Sequence, residues 1–203
     1  MDPGPALSSA AVKTALERHV AFFDPEGSGQ VTLWQTWAGL GRLGVSLGCR
    51  LLLPPGINGF LGYLTQRRPS FRILIDKIAD GKHPFDSGTF GDDGNIDTSA
   101  RSALFAAAHG GGITAAEMRA LILARGNRRP AMGKLAGVLG SWFSGKEVKL
   151  LFCLAADGTK VQDGQVVPAL TPRTLGRLYD GSLFYALARR RRILQSRKRG
   201  SRV

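Results

Sequence analysis

The sequence predicts a mainly α-helical chain of helix–loop–helix units in two pairs. An apolar segment stands between the first unit and the second. Three observations predict this. Leu16 to Gly44 reads as helix, twelve-residue loop, helix, with oxygen-bearing side chains spaced as in a calcium loop. The same spacing recurs three times in weakened form. Between the first two copies runs Val45 to Leu64, apolar with one charge, Arg50.

The first loop spans Asp24 to Gln35. Asp24, Glu26, Ser28 and Thr32 hold positions 1, 3, 5 and 9, Gln30 holds the carbonyl position 7, and Gly29 holds the turning position 6. Thr32 followed three residues on by Gln35 is a capping box that starts the second helix. Position 12, where an EF-hand takes a bidentate Glu, is Gln35. The formal charge of the ligand set falls to that of Asp24 and Glu26. Asp24, Glu26, Ser28, Gln30, Thr32 and Gln35 therefore form either a weak calcium site or an EF-hand-shaped turn that binds no ion. Where an ion binds, affinity of roughly 10⁻⁴ M or poorer is expected.

On the first helix Val12, Leu16, Val20 and Phe23 share one apolar face, and His19 falls within it. A His so placed is either a core His bonded to a backbone carbonyl or a metal ligand.

Val45 to Leu64 is about long enough to span a bilayer. Pro54-Pro55 in its middle and its glycines argue against one straight helix. Two short apolar arms joined by a turn are expected instead, dipping into one leaflet, with Arg67 and Arg68 at the boundary. The competing reading is a helix pair buried in a soluble core.

Three fainter copies of the loop follow. Thr89 to Ala100 has Gly94 at position 6 and Ile96 at 8, but Ala100 at 12. Ala106 to Glu117 has Ile113 at 8 and Glu117 at 12, but lacks early ligands. Thr159 to Leu170 is the faintest. The first of these is expected to hold calcium poorly and the last two to be scaffold, and the four units are expected to couple in two pairs through short strands at position 8. Leu135 to Leu154 reads as an amphipathic helix, and Thr171-Pro172 starts the last helical region as N-cap and first helical residue.

Composition bounds the rest. The 203 residues suffice for one domain or two small ones, and 43% hydrophobic content supports a core. Cys49 and Cys153 suggest neither a disulfide framework nor a CxxC site. MDPGPALSSA has no signal-peptide pattern, which implies a cytosol-facing protein, and residues 1–10 are expected to be disordered. From Arg189 onward eight basic residues occur without an acidic one, so the first 188 residues carry only +5 of the net +13. Such a tail suits anionic lipid headgroups. No aromatic residues interleave with it, so no specific nucleic-acid partner is expected. Neither HExxH nor GxSxG occurs, which removes two common hydrolase classes. Only three Met occur in the whole chain, which speaks against a sensor with a Met-rich groove.

Four stretches in order resemble the caleosin family, the calcium-linked haem peroxygenases of lipid droplets. They are HVAFFDPEGSGQVTLWQTWAGLGRLG from His19, IDKIADGKHPFDSGTF from Ile75, Gly126-Asn127-Arg128, and YDGSLF from Tyr179 to Phe184. The resemblance covers about residues 11 to 190. It implies haem as cofactor, with His19 and His83 as axial ligands, and calcium in the first loop. It implies oxygen transfer from fatty-acid hydroperoxides to unsaturated lipids or other small acceptors. It places such a protein on lipid droplets or the endoplasmic reticulum membrane, at the cytosolic face. The chain departs from the family pattern at Pro84, where Gly is usual, and at Ala79, where a further His stands. The full proline knot of the family's lipid-embedded segment is also absent. A second reading, a non-enzymatic EF-hand coat or anchoring protein, draws on these losses. The domain division that follows is 1–10 N-terminus, 11–44 first unit, 45–68 apolar segment, 69–188 degenerate units, and 189–203 basic tail.

Overall fold

The computed structural model of the chain describes residues 14–81, 88–126 and 134–200. Among these residues it is mainly helical, with eight α-helices and two small antiparallel sheets. The N-terminal half holds α1 (Ala15–Ala21), β1 (Gln30–Val31), α2 (Leu33–Leu43), α3 (Leu47–Gln66), β2 (Ile73–Leu74) and a 3₁₀ turn over Ile78–Gly81. The C-terminal half holds α4 (Thr98–Ala107), β3 (Ile113–Thr114), α5 (Ala115–Gly126), α6 (Lys134–Ala155), β4 (Gly158–Gln162), β5 (Gln165–Leu170) and α7 (Pro172–Asp180). α8 (Leu183–Gly200) returns across α2 and closes the molecule.

Each half is tied by a short strand pair. Val31 faces Ile73, and Ile113 faces Leu170. Both positions were expected to pair, but with other partners. Ile96, expected to pair with the first loop, instead bridges back to Phe90 within its own loop. That loop docks on α1, whose Leu16 N–H donates to the Gly94 carbonyl at 3.0 Å. Asp97 then caps α4 through the Ala100 N–H.

The expected fourth loop, Thr159 to Leu170, is a β-hairpin. β4 and β5 pair from Gly158↔Ala169 to Gln162↔Gln165. Asp163 (φ 51) and Gly164 (φ 74) form the turn between them. Asp-Gly is a favoured sequence for a two-residue turn in which both residues take positive φ. The calcium-loop spacing there was a coincidence of Asp, Gly and Val.

The expected pair of apolar arms is one helix. α3 runs unbroken for 20 residues through Pro54 and Pro55. The two prolines leave the Arg50 and Leu51 carbonyls without their intrahelical N–H partners, at a cost of ~3 kcal/mol or more for an interior proline. Leu51 is 62% exposed, so the second carbonyl lies on a wet flank. Packing of the C-terminal part offsets the cost. Fully buried Asn58 donates through Nδ2 to the carbonyls of Val31 and Phe71 at 3.1 and 3.0 Å. Thr65 Oγ1 accepts from the Leu74 N–H at 3.3 Å. Gly62 lets α3 lie directly on the 70–72 backbone, where a Cβ would meet the Ser70 carbonyl. The outer face leaves Leu47, Leu51, Leu52 and Tyr63 exposed. Among the described residues, no helix is long and apolar enough to cross a membrane.

α2 starts and stops as its sequence dictates, between the Thr32–Gln35 capping box and Gly44 in the left-handed region. Thr171 caps α7 with Pro172 in its first turn, also as expected. α6 is helical but not one-sided: Val148 and Phe152 enter the main C-terminal core, whereas Leu150 and Leu154 lean on the cluster around Phe22 and Leu40. Cys49 and Cys153 are both exposed and free. Residues 1–10 lie outside the described residues. The basic stretch continues α8 to Gly200 rather than starting a separate tail.

Candidate functional site

α1 has only seven residues, too few to be a stable helix alone, so its neighbours must hold it. Thr14 and Glu17 close a capping box at its start. At its far end Arg42 of α2 donates to the Phe22 carbonyl and lies over the Phe22 ring. Arg18 Nε donates to the Asp180 carbonyl at 3.4 Å. α1 also packs against α7 and the 3₁₀ turn. Leu16, Val20 and Phe23 face the apolar cluster around Val31 and Ile73, as their spacing predicted.

His19 turns to the other side. Its Nδ1 lies 3.0 Å from the Leu178 carbonyl oxygen. A carbonyl can only accept, so Nδ1 carries the proton and Nε2 keeps a free lone pair. The Phe184 ring centre lies 4.7 Å from the imidazole and the Phe90 ring centre 6.4 Å. Burial pushes the His19 pKa below its ordinary 6.5, and the bond to Leu178 opposes that shift. The ring is therefore neutral at neutral pH. This geometry meets the structural reading of a core His on a backbone carbonyl. It equally meets the requirement for an iron ligand, since ligating histidines commonly give their second N–H to a carbonyl or carboxylate.

His83 lies outside the described residues, which stop before it at Gly81. His109 is exposed just past the end of α4.

The first loop gathers five of its six expected residues. Asp24 is 6% exposed and is the hub. Its carboxylate accepts from Ser28 Oγ at 2.9 Å, from the Gly29 N–H at 2.8 Å and from Gln35 Nε2 at 3.3 Å. Gln35 Oε1 accepts from the Thr32 N–H and hydroxyl at 2.8 and 3.0 Å. The position-12 side chain thus turns its oxygen to the helix cap and its amide N–H to Asp24. The Gln30 carbonyl accepts from Ser28 Oγ at 3.1 Å. Glu26 stays exposed on the loop surface. Among the described residues, no three His, Cys, Asp or Glu side chains stand together as a metal site. The Asp24 carboxylate, the Ser28 hydroxyl and the Gln30 carbonyl are oxygens of the kind a hard cation takes, but Gln35 presents an N–H rather than an oxygen to Asp24.

Sequence reasoning missed the partners of His19. Leu178, which offers a backbone carbonyl, gives no signal in its side chain. Gly181 and Phe184 were visible only as letters of the YDGSLF stretch, with no role attached.

Comparison with known proteins bears on this geometry. A family model described as Caleosin related protein matches residues 11–188. The chain is 30% identical over 194 residues to a protein of Arabidopsis thaliana named Probable peroxygenase 4, covering 90% of each chain. No solved structure matches it.

Proposed function

The chain belongs to the caleosin family, and from that premise we propose that it is a haem-dependent peroxygenase. It transfers one oxygen from a fatty-acid hydroperoxide to an unsaturated acyl chain or another small acceptor. The observation that carries this reading is His19, neutral, with Nδ1 committed to Leu178 and Nε2 free. Haem, when bound, supplies the redox chemistry of that oxygen transfer. The chain supplies the rest. His19 would hold the haem iron through its Nε2, and His83 would be the second ligand by family resemblance. Phe90 and Phe184 give the imidazole apolar neighbours. The Leu178 carbonyl raises the basicity of the donating ring. The test is an absorbance spectrum of purified protein reconstituted with haem. A Soret band is expected, with loss in His19→Ala and His83→Ala of both the band and hydroperoxide-dependent oxygen transfer. Full haem content in both variants sinks the assignment. A parent protein with no Soret band favours the non-enzymatic coat protein instead.

Calcium is the second cofactor of this reading. The first helix–loop–helix acts as an EF-hand of low affinity, because Asp24 and Glu26 are its only carboxylates and Gln35 is already engaged.

Lipid attachment is the third part. Leu47, Leu51 and Leu52 form the exposed apolar side of α3, and Arg189, Arg190 and Arg192 are exposed on α8. Arg191 lies over Gly44, just before α3, so the two surfaces are neighbours. The partner is the cytosolic face of a lipid droplet or endoplasmic reticulum membrane, with anionic headgroups on the arginines. Each cation contributes ~1 kcal/mol that salt screens, whereas apolar burial is nearly salt-independent. Flotation with liposomes separates the two. Truncation at Arg189 is expected to weaken binding mainly at low salt. Leu47, Leu51 and Leu52 changed together to Ser should remove the salt-resistant part. Undiminished high-salt flotation of the Ser variant ends this part of the proposal.

A further inference from the structure

Among the described residues, the hydrogen bond and ring contacts that His19 makes outside α1 come from Phe90 or from one short stretch, 178–184. Leu178 gives the carbonyl that holds Nδ1. Tyr179 packs edge-on against Phe90 at 5.6 Å and so backs the neighbour of the imidazole. Asp180 gives the carbonyl that receives Arg18, and its carboxylate accepts the Ser182 N–H at 2.8 Å. Phe184 packs on the ring itself.

Gly181 makes this arrangement possible for two separate reasons. It ends α7 at φ 84, in the left-handed region. It also lies against the α1 backbone: a Cβ there would stand 2.8 Å from the Arg18 carbonyl carbon and 2.8 Å from the His19 nitrogen. Those atoms are backbone and cannot swing aside. Any side chain at 181 must move the α7–α8 corner away from α1, and that corner carries both the Leu178 carbonyl and the Phe184 ring.

We propose that residues 178–184 are a positioning unit for His19, in which the bare Gly181 contact sets the imidazole tautomer and ring plane. The unit leaves Nε2 as the metal-facing nitrogen. The proposal rests on the reading of His19 as a haem ligand for its purpose, but not for its geometry, and the test separates the two.

Three variants are compared with the parent: Gly181→Ala, Gly181→Asn and Phe184→Leu. Asn tolerates the left-handed region but carries a Cβ, so it keeps the helix cap while breaking the close approach. The first readout is the ¹⁵N shift pair of His19 in the haem-free protein. The parent is expected to show a single Nδ1–H tautomer. Both Gly181 variants should show a mixed tautomer while cooperative unfolding persists. The second readout is haem titration followed at the Soret band. Haem affinity is expected to fall about 10–100-fold in both Gly181 variants, as for lost outer-shell partners of metal ligands. Phe184→Leu should act in the same direction to a smaller extent. If either Gly181 variant does not fold, Phe184→Leu and the other variant carry the comparison. A pure Nδ1–H tautomer and haem affinity within twofold of the parent in the folded variants overturn the proposal. So does a Gly181→Asn protein that behaves like the parent, since the glycine then serves only its left-handed cap. If His19→Ala binds haem as well as the parent, the ligand reading fails, and the tautomer shifts alone decide whether 178–184 position the ring.

Discussion

In the N-terminal half Val31 faces Ile73 across a two-residue strand pair, and in the C-terminal half Ile113 faces Leu170. A threonine follows the first loop strand and ends the second, and each closes a capping box, Thr32 with Gln35 and Thr114 with Glu117. The scaffolds match, but the loop interiors do not. In the first, buried Asp24 is surrounded by hydroxyl and N–H donors of its own loop, the last of them from Gln35. In the second, the carboxylate is Glu117 at the end of the loop, and besides the Thr114 N–H it takes a partner from outside. Lys160 of β4 reaches back with Nζ 2.7 Å from Glu117 Oε1 and 3.4 Å from the Ala107 carbonyl. An amide N–H answers the carboxylate in one half and a tethered ammonium in the other. Both loops are therefore closed by the protein's own donors.

The largest expected effect tests whether the halves differ in weight. Ile113 is 0% and Val31 is 1% exposed. Ile113 belongs to the large cluster with Leu104, Phe152 and Leu175, whereas Val31 belongs to a small one with Ile73, Ile75 and Ile78. Ile113→Ala should cost about 2–5 kcal/mol of stability. Val31→Ala, which removes fewer carbons from a smaller cluster, should cost about 2 kcal/mol. Urea unfolding of both variants gives the answer. Equal losses would mean that the two pairs carry equal weight.

The next effect concerns the donor at Asp24. Gln35→Glu replaces an N–H donor with a second carboxylate beside Asp24. Calcium affinity should rise about tenfold or more, because ligand charge governs it. Without calcium the same variant should lose stability through like-charge repulsion. Its melting temperature should thus become calcium-dependent, while that of the parent stays nearly flat. A parent that binds calcium below micromolar by titration calorimetry refutes the account of Gln35 as the occupant of the cation position.

The sequence displayed the half that is built from local rules. The capping boxes at Thr32 and Thr171, the loop spacing at Asp24 and the apolar stripe of α1 all depend on residues within one or two turns. What it hid depends on distant partners. The prolines at 54 and 55 argue for a break, and only the packing of Asn58, Gly62 and Thr65 against residues 70–74 outweighs them. The strand partner of Val31 lies in Arg72-Ile73-Leu74, a stretch with no turn or glycine signal of its own. The Asp163-Gly164 hairpin was legible, but its Asp, Gly and Val were spent on a loop frame that they also fit. The Leu178 carbonyl could not be read at all, since any residue offers one. Family membership, by contrast, was carried by four motifs spread along the chain.

The smallest effect belongs to the tethered ammonium of the C-terminal loop. Burial raises the Glu117 pKa, but hydrogen bonds from Lys160 and Thr114 outweigh it and hold the carboxyl below its ordinary 4.5. A carboxylate with a depressed folded pKa contributes stability that is fully present above 4.5 and is lost as pH falls through the folded value. The pair is partly exposed, with side chains at 21% and 32%, so its worth at neutral pH is about 0.5–1 kcal/mol. Lys160→Met should remove that amount at pH 7 and progressively less below pH 4.5, as Glu117 takes up its proton in both proteins. The gap between parent and variant should therefore narrow with acid. Asp157 provides the internal control. Burial raises its pKa too, and donors from Thr171 and Thr174 bring it below the ordinary value, so its acid-dependent loss should be the same in both proteins. Calcium should not rescue Lys160→Met, because the early positions of that loop are Ala and Gly. A gap that stays constant from pH 7 to pH 3 would show that Lys160 acts through its bond to the Ala107 carbonyl and not through Glu117. In that case the correspondence between its ammonium and the Gln35 amide would fail.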